Sequence, residues 1–314
     1  MQSDYIRKID IARAQQATPR QLLQREWLIT NGLGGYASGT ISGMVSRRYH
    51  GLLVAALPAP LGRVVMFNHL AESLRLPDGR TILIGGEEPC RPGDEACESH
   101  YVSEFSIENG LPTWRFEAEG VVLEKRVLLV HRQNTAHIFY RLLSGHDSIH
   151  MELRPGLHFR GHEENLGAPL TEDYGLTIHG HRYEVSSPTY PSLRFHVHDG
   201  DATFTHRGGR FNDVGYAIES ERGYHSAGTL WSPGYFGVEL RQHRLVTLVA
   251  STENWETMLA LDPEAALASD FERRRRLVNA AHPCAREGAA AELVIAADQF
   301  IITPAGRVED AARA

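Results

Sequence analysis

The sequence has few cysteines, no long apolar run and no surplus of positive charge, and each shortage excludes a class of protein. Its three cysteines, Cys90, Cys97 and Cys284, are too few and too uneven in number for a disulfide framework. The longest apolar run, about Gly51–Leu57, is much shorter than a membrane span, so we expect no membrane partner. Acidic residues number 39 against 32 basic ones, a net charge of −7, which argues against a nucleic-acid partner.

Several chemical motifs are also missing. Residues 1–24 lack the apolar core of a secretory signal, so we predict a cytoplasmic location. There is no glycine-rich phosphate loop followed by Lys and Ser or Thr, and no His-Glu-x-x-His zinc motif. Strand alternation on a solvated sheet face explains the pairs His179/His181 and His196/His198 without a metal. The sequence therefore predicts no metal site and no cofactor.

What the chain does contain is a long succession of short β segments. The 314 residues, 42% of them hydrophobic, are ample for a sizeable core. Between Tyr101 and Thr252, runs that alternate polar and apolar residues are separated by turn residues every 8 to 12 positions. This spacing is typical of an antiparallel sandwich or barrel. With so many strands, we predict a mainly β fold built as one large antiparallel two-sheet β-sandwich.

Four local predictions accompany this fold. Asp4–Ala17 is predicted as weakly helical or irregular, and Arg63–Asn68 and Ala71–Leu76 as a hairpin pair. Pro77–Arg80 is predicted as a turn. After Thr252 the period becomes helical, with helices over 264–281, capped by Asp262 with Pro263 at its first position, and from 285 or 286 to 302.

The densest chemistry lies between Arg25 and Leu57. Asn31-Gly32 is a tight-turn signal, and Gly34-Gly35 continues a backbone suited to glycine. Arg47, Arg48, Tyr49 and His50 then supply two guanidinium groups, a phenol and an imidazole before an apolar strand. The residues alone leave two interpretations open, a ligand-facing loop and a structural turn.

A second aromatic stretch runs from Trp231 to Phe236 and contains Pro233-Gly234. Aromatic side chains around a Pro-Gly turn form a surface on which sugar rings stack, and a core-packing corner is the alternative. Carboxylates are plentiful, but no pair of them is placed as an acid and a base.

These blocks resemble a known family. EWLITNGLGGYASGT followed by RRYHGLLVAAL, and later LWSPGYFGVEL and AADQFII, resemble the N-terminal domain of bacterial and archaeal-type glycogen debranching enzymes. The resemblance implies a supersandwich over residues 1–258 and, over 259–314, a helical linker and the start of an (α/α)6 barrel. That barrel is expected to hydrolyse α-1,6 branch points with carboxylates beyond Ala314, so no catalytic residue is expected in this segment.

By the same resemblance, the chain contributes contacts to the sugar and to its own C-terminal catalytic domain. The expected partners are thus an α-glucan (glycogen or limit dextrin) and that domain. The residues that match the family blocks, and are therefore candidates for substrate binding, are Asn31, Arg47, Arg48, Tyr49, His50, Trp231 and Tyr235.

Two other functions stay open. One is a free-standing sugar mutarotase, which would need a His–Glu pair converging in an open cleft. The other is a plain carbohydrate-binding or interaction module.

Overall fold

A computed structural model describes residues 6–9, 22–85, 101–167, 170, 173–199 and 201–303. Cys90, Cys97 and most of the Asp4–Ala17 segment, predicted as weakly helical or irregular, lie outside the described residues. Within them the chain forms nineteen strands. The strands are β1 Ile6–Ile9, β2 Glu26–Thr30, β3 Tyr36–Thr40, β4 Gly51–Ala56, β5 Arg63–Phe67, β6 His69–Arg75, β7 Thr81–Gly85, β8 Val102–Glu108, β9 Leu111–Ala118, β10 Val121–Leu129, β11 Thr135–Ser144, β12 Ser148–Gly156, β13 Arg160–Gly161, β14 Gly175–His179, β15 Arg182–Ser186, β16 Leu193–His198, β17 Thr203–Gly215, β18 Ala227–Arg241 and β19 Leu245–Ser251.

The described strands form three antiparallel sheets. The largest has nine strands in the order β1-β8-β9-β10-β11-β19-β16-β15-β14. The other two have five strands each, in the orders β17-β18-β12-β6-β7 and β13-β5-β4-β3-β2. The large sheet packs on both small ones, because β11 contacts β4 and β18 while β10 contacts β2. The predicted mainly β fold of large antiparallel sheets is confirmed, and its described strands divide into three sheets.

One hydrophobic core joins the three sheets. Its fully buried members include Phe67 and Phe195, whose rings meet edge to face with centroids 5.3 Å apart. A buried ion pair also lies there, where Lys125 donates to Glu72 at 2.8 Å and the Tyr140 hydroxyl donates to the same carboxylate. A carboxylate can be kept inside a core when it is paired and hydrogen-bonded in this way.

Two of the local predictions are wrong. Ile6–Ile9, within the stretch predicted as weakly helical or irregular, pairs with β8 as an edge strand. The runs predicted as a hairpin, β5 and β6, lie in different sheets, since β5 pairs with β4 and β13 whereas β6 pairs with β12 and β7. A one-residue link at Asn68 carries the chain between the sheets, and local sequence does not distinguish such a crossing from a turn. The Pro77–Arg80 turn is confirmed and joins β6 to β7.

Four α-helices complete the described structure. They are α1 Ala217–Glu221, α2 Trp255–Leu259, α3 Pro263–Ala280 and α4 Gly288–Asp298. The predicted cap of α3 is confirmed, because the Asp262 carboxylate accepts from the Ala265 N–H at 2.9 Å. The second predicted helix is shorter than expected, and Pro283–Ala285 forms a separate 3₁₀ turn before it.

The helix α3 lies on the outer face of the nine-stranded sheet. A small cluster of Leu111, Leu128, Phe139 and Ala266 forms this contact, with Phe271 packed at its border. The α3–α4 pair is itself held by Val278, Ala291 and Ile295. None of the described helices is long and apolar enough to span a membrane. The division into domains at residue 258 stays a prediction.

Candidate functional site

The loop after β2 is shaped by the side chain of Asn31. This side chain is fully buried, and its Oδ1 accepts from the N–H groups of Leu33 and Gly35, each at 3.0 Å. Its Nδ2 donates to the Gln133 carbonyl at 2.9 Å and to the Asn134 Oδ1 at 3.1 Å. A Cβ on Gly35 would lie 2.7 Å from the Asn31 Nδ2, so only glycine fits there. The Asn31 side chain thus fixes the conformation of this loop.

The last described residues return to the same loop. The Thr303 N–H donates to the Gly32 carbonyl at 2.7 Å, and the Thr30 hydroxyl donates to the Gln299 carbonyl at 3.4 Å. Ile302 also lies near this loop, because a Cβ on Gly34 would stand 3.8 Å from the Ile302 Cδ1. Three neighbouring apolar side chains are largely exposed: Phe300 at 88%, Ile301 at 69% and Leu293 at 70%. The C-terminal end of the described chain therefore presents apolar surface beside the Gly32–Gly35 loop.

Arg47 and His50 meet at Glu26. The Arg47 Nε donates to the Glu26 carboxylate, and the His50 Nε2 lies 3.7 Å from the same oxygen. The His50 Nδ1 accepts from the N–H groups of Ser46 and Arg47 at 3.1 and 3.3 Å. Burial, and then the charge of Arg47, lowers the pKa of His50 to about 3. His50 is therefore a neutral acceptor that fixes the loop at neutral pH.

Arg48 and Tyr49 are the half-buried residues in the middle of this segment. The Arg48 Nη2 donates to the Tyr49 hydroxyl, and this bond raises the pKa of Arg48. The guanidinium carbon also lies 4.7 Å from the Tyr49 ring centroid and 5.6 Å from that of Tyr224, a side chain 58% exposed. The Arg48 main-chain N–H donates to the buried Glu219 carboxylate at 3.2 Å. These contacts tie the loop to α1.

Four residues outside the seven sequence candidates complete this face. The His162 ring lies 6.1 Å from that of Tyr49, and the His162 main-chain N–H donates to the Arg63 carbonyl at 3.1 Å. The Arg63 Nε in turn donates to the Gly34 carbonyl at 2.7 Å. The Tyr36 hydroxyl donates to the Tyr49 carbonyl at 3.1 Å, and burial raises its pKa to about 12. Local sequence gives no signal for His162 or Tyr224, because the sheet pairing of β13 and the position of α1 bring them here.

We call this surface of Arg48, Tyr49, His162 and Tyr224 the Arg48 face. A continuous line of contacts connects it through Arg63 to the Gly32–Gly35 loop, where the described chain ends. Guanidinium, phenol and imidazole groups can donate to hydroxyl oxygens, and the rings offer flat apolar area. The chemistry of this face is thus suited to binding a polyhydroxylated ligand.

Trp231 lies apart, in the core of the sandwich. It is 7% exposed, and its ring stacks at 5.0 Å and 34° on that of Tyr174. The predicted Pro-Gly turn is wrong, because Trp231 to Phe236 lie inside the single long strand β18. Opposite Pro233, the register of β17 shifts between His206 and Arg210, so the bulge lies on the partner strand. Proline has no N–H to offer this neighbour, which explains why the ladder breaks there.

Tyr235, on the same strand, is only half-buried. Two guanidinium carbons, those of Arg154 and Arg207, lie 5.5 and 5.6 Å from its ring centroid. Further along β18, Glu239 stands directly opposite His150 of β12, and their side chains are 2.8 Å apart. Both are partly exposed, so this sheet face carries a His–Glu pair produced by cross-strand register.

A cavity of about 480 Å³ lies between β2, the β8–β9 hairpin and α4. Its lining combines Trp27, Phe105 and Ile295 with the carboxylates of Glu26 and Glu292. Since Glu26 also binds Arg47, the cavity borders the second half of the Arg25–Leu57 segment. This places it at the junction between the sandwich and the C-terminal helices.

The sequence profile of the family described as "Glycogen debranching enzyme N terminal" matches residues 25–247. The chain belongs to this family. The match contains all seven candidate residues and the four that join them on or beside the Arg48 face. The helices α2, α3 and α4 follow residue 247 and therefore lie outside the residues that the family profile matches.

A solved structure is also similar to this family member. It is described as a kojibiose phosphorylase from human microbiome, with 9% sequence identity and a TM-score of 0.41. The comparison covers 95% of this chain but only 37% of that protein. No curated protein sequence matches the chain.

Proposed function

We propose that this chain is the non-catalytic N-terminal domain of a glycogen debranching enzyme, an enzyme that hydrolyses α-1,6-glucosidic branch points. In this role the sandwich supports a C-terminal catalytic domain and contacts the α-glucan. The family match over residues 25–247 carries the proposal. The acid and base carboxylates of hydrolysis would belong to the catalytic domain.

The position of the Arg48 face supports the glucan contact. It combines hydrogen-bond donors with the exposed Tyr224 ring, the two features that bind sugar hydroxyls and sugar faces. The apolar side chains of Phe300 and Ile301 lie near the connected Gly32–Gly35 loop and would be covered by the catalytic domain. A glucan held at the Arg48 face would then lie beside that domain. The half-buried Tyr235 offers a second aromatic position, whereas Asn31 and Trp231 would act through the fold.

Hydrolysis assays test the non-catalytic role. The purified chain should release no glucose from a limit dextrin, while the same preparation joined to its catalytic domain should release it. Steady glucose release by the purified chain alone would contradict the proposal.

Calorimetry with a maltooligosaccharide tests the glucan contact. Arg48→Ala and Tyr224→Ala should each weaken binding about tenfold, since a lost stacking or charged contact is worth roughly 1 to 2 kcal/mol. Ile178→Ala removes a similarly exposed apolar side chain from β14 and serves as the control, because it should leave binding unchanged. If the Arg48→Ala and Tyr224→Ala chains bind the oligosaccharide as tightly as the Ile178→Ala chain, the Arg48 face is not the glucan contact. Glucan binding without any effect on a joined catalytic domain would favour a plain carbohydrate-binding module.

The His150–Glu239 pair favours one second candidate, a sugar mutarotase. With the pair in contact on an accessible surface, the Glu239 carboxylate could accept the proton of the anomeric hydroxyl while a His150 imidazolium donates one to the ring oxygen. Polarimetry decides this. Mutarotase activity predicts faster mutarotation of glucose with the wild-type chain than with Glu239→Gln, while equal rates would exclude it.

A further inference from the structure

Three buried polar atoms without hydrogen-bond partners belong to two adjoining segments, the loop before β4 and strand β13. They are the Ser46 Oγ, the Arg48 Nε and the Arg160 Nε. Ser46 and Arg48 lie on one loop, and the Arg160 Nη2 donates to the Arg48 carbonyl, which joins the third atom to the same place. Buried polar atoms are nearly always satisfied, so an orphan group calls for a partner such as a water or an ion.

The positive charge of Arg160 also lacks a counter-charge within the described part of the chain. Its side chain is only 1% exposed, and its hydrogen bonds go to two main-chain carbonyls, those of Arg48 and Gly161. Among the described residues no carboxylate forms an ion pair with it. The Glu164 carboxylate raises the pKa of Arg160 less than burial lowers it, while the Glu219 carboxylate accepts from the Arg48 main-chain N–H. Burial consequently lowers the pKa of Arg160.

The other fully buried cations of the described chain are compensated. Arg274, 5% exposed, donates to Asp270 at 2.6 Å, and Lys125 donates to Glu72 at 2.8 Å. A buried charge without a counter-charge is strongly unfavourable, and Arg160 differs from these two in having no carboxylate partner within the described part of the chain.

We propose that Ser46, Arg48 and Arg160 form a binding site for an oxyanion of the phosphate class. Two guanidinium N–H groups and a hydroxyl are all able to donate, and phosphate offers several acceptor oxygens with the charge that balances arginine. This site goes beyond the proposed function and does not depend on it.

Thermal unfolding in inorganic phosphate, at ionic strength held constant with chloride, tests this site. The melting temperature of the wild-type chain should rise and saturate with phosphate, because a ligand that binds only the folded state stabilises it. Arg160→Met should abolish the rise. Arg274→Met is the matched control, since it removes an equally buried guanidinium from a different place and should keep the phosphate response.

A second variant and a direct measurement cover the case in which Arg160→Met does not fold. Ser46→Ala removes only the hydroxyl group. Calorimetry should show phosphate binding weakened about tenfold, because this is the loss expected for one hydrogen bond to a charged group. A glucose 6-phosphate arm separates the two sources of phosphate. Binding of both ligands assigns the site to phosphate monoesters, and binding of phosphate alone assigns it to the free anion. A wild-type chain whose melting temperature responds equally to phosphate and chloride would overturn the proposal.

Discussion

At the scale of single residues, Asn31 shows how a polar side chain can define a loop without facing solvent. The four hydrogen bonds of its side chain all go to protein atoms. Two go to Leu33 and Gly35 of its own loop, and two go to Gln133 and Asn134. A side chain of this kind is specific because no other residue offers the same donors and acceptors in the same space.

Asn31→Ala should therefore destabilise the fold. It leaves buried groups unpaired at Leu33, Gly35 and Gln133, so we expect the free energy of unfolding to fall by about 3 kcal/mol in urea denaturation. Asn254→Ala is a useful comparison, because Asn254 makes a single exposed cap bond to the Thr257 N–H. That change should cost about 1 kcal/mol. Equal losses for the two variants would show that the Asn31 network contributes little.

Buried histidines predict a loss of stability in mild acid. Burial, and then His198, lowers the pKa of His137 from its ordinary 6.5 to about 4, and burial acts in the same sense on His50, His69 and His158. The unfolded chain thus binds these protons more readily than the folded one. Their contribution is complete above pH 6.5 and is lost as the pH falls from 6.5 towards the folded values.

His137→Leu should reduce this pH dependence. The free energy of unfolding of the wild-type chain should fall between pH 7 and pH 5. His137 should account for on the order of 2 kcal/mol of this loss. Urea unfolding at both pH values should show that share missing in the variant. His179→Leu, at an exposed position, should retain the wild-type difference. The same difference in both variants would contradict the assignment.

At the scale of elements, β17 and β18 show what a proline and a glycine do inside a long strand. Gly234 has a φ of 142°, and a Cβ there would lie 2.0 Å from the Thr205 carbonyl oxygen. The bulge in β17 accommodates Pro233 only because the next residue lets the strands approach this closely.

Gly234→Ala should separate the two strands. We expect a loss of about 3 kcal/mol or more in the free energy of unfolding, because both the φ value and the contact with main-chain atoms oppose a side chain. Gly79→Ala provides the comparison, since Gly79 has a φ of 86° in a turn but nothing near its Cβ position. It should lose about 1 kcal/mol. A Gly234→Ala chain as stable as the Gly79→Ala chain would contradict this account of the bulge.

At the scale of the whole molecule, the C-terminal helices are fixed to the sandwich in two places. Ala266 and Phe271 of α3 pack on the nine-stranded sheet, and Gly110 of the β8–β9 turn lies against Arg274 and Ile295. The contact is small, so a single change can release the helix.

Ala266→Asp should detach α3 from the sheet, because it buries an unpaired carboxylate. Trypsin provides the readout, since α3 contains the run Arg273–Arg276, which is protected while the helix is docked. We expect cleavage in this run to accelerate at least tenfold. Ala268→Asp places the same group on the exposed side of α3 and should leave the rate unchanged. Equal cleavage of the two variants would mean that the sheet does not protect this helix.

Local patterns were enough for part of this protein. Alternation and turn residues identified the β class, Asp262-Pro263 marked the start of α3, and the Arg25–Leu57 motifs indicated the family that the profile match then showed. These features depend on neighbouring residues, so a single sequence contains them.

Only the tertiary structure decided which of those residues share a site. Pairing between strands far apart in sequence placed Arg160 beside Arg48 and His162 beside Tyr49. It also buried Asn31 and Trp231 and made Pro233-Gly234 part of a strand. Such neighbours are set by sheet register and by the burial of charge, which are properties of the packed molecule and not of any short stretch of its sequence.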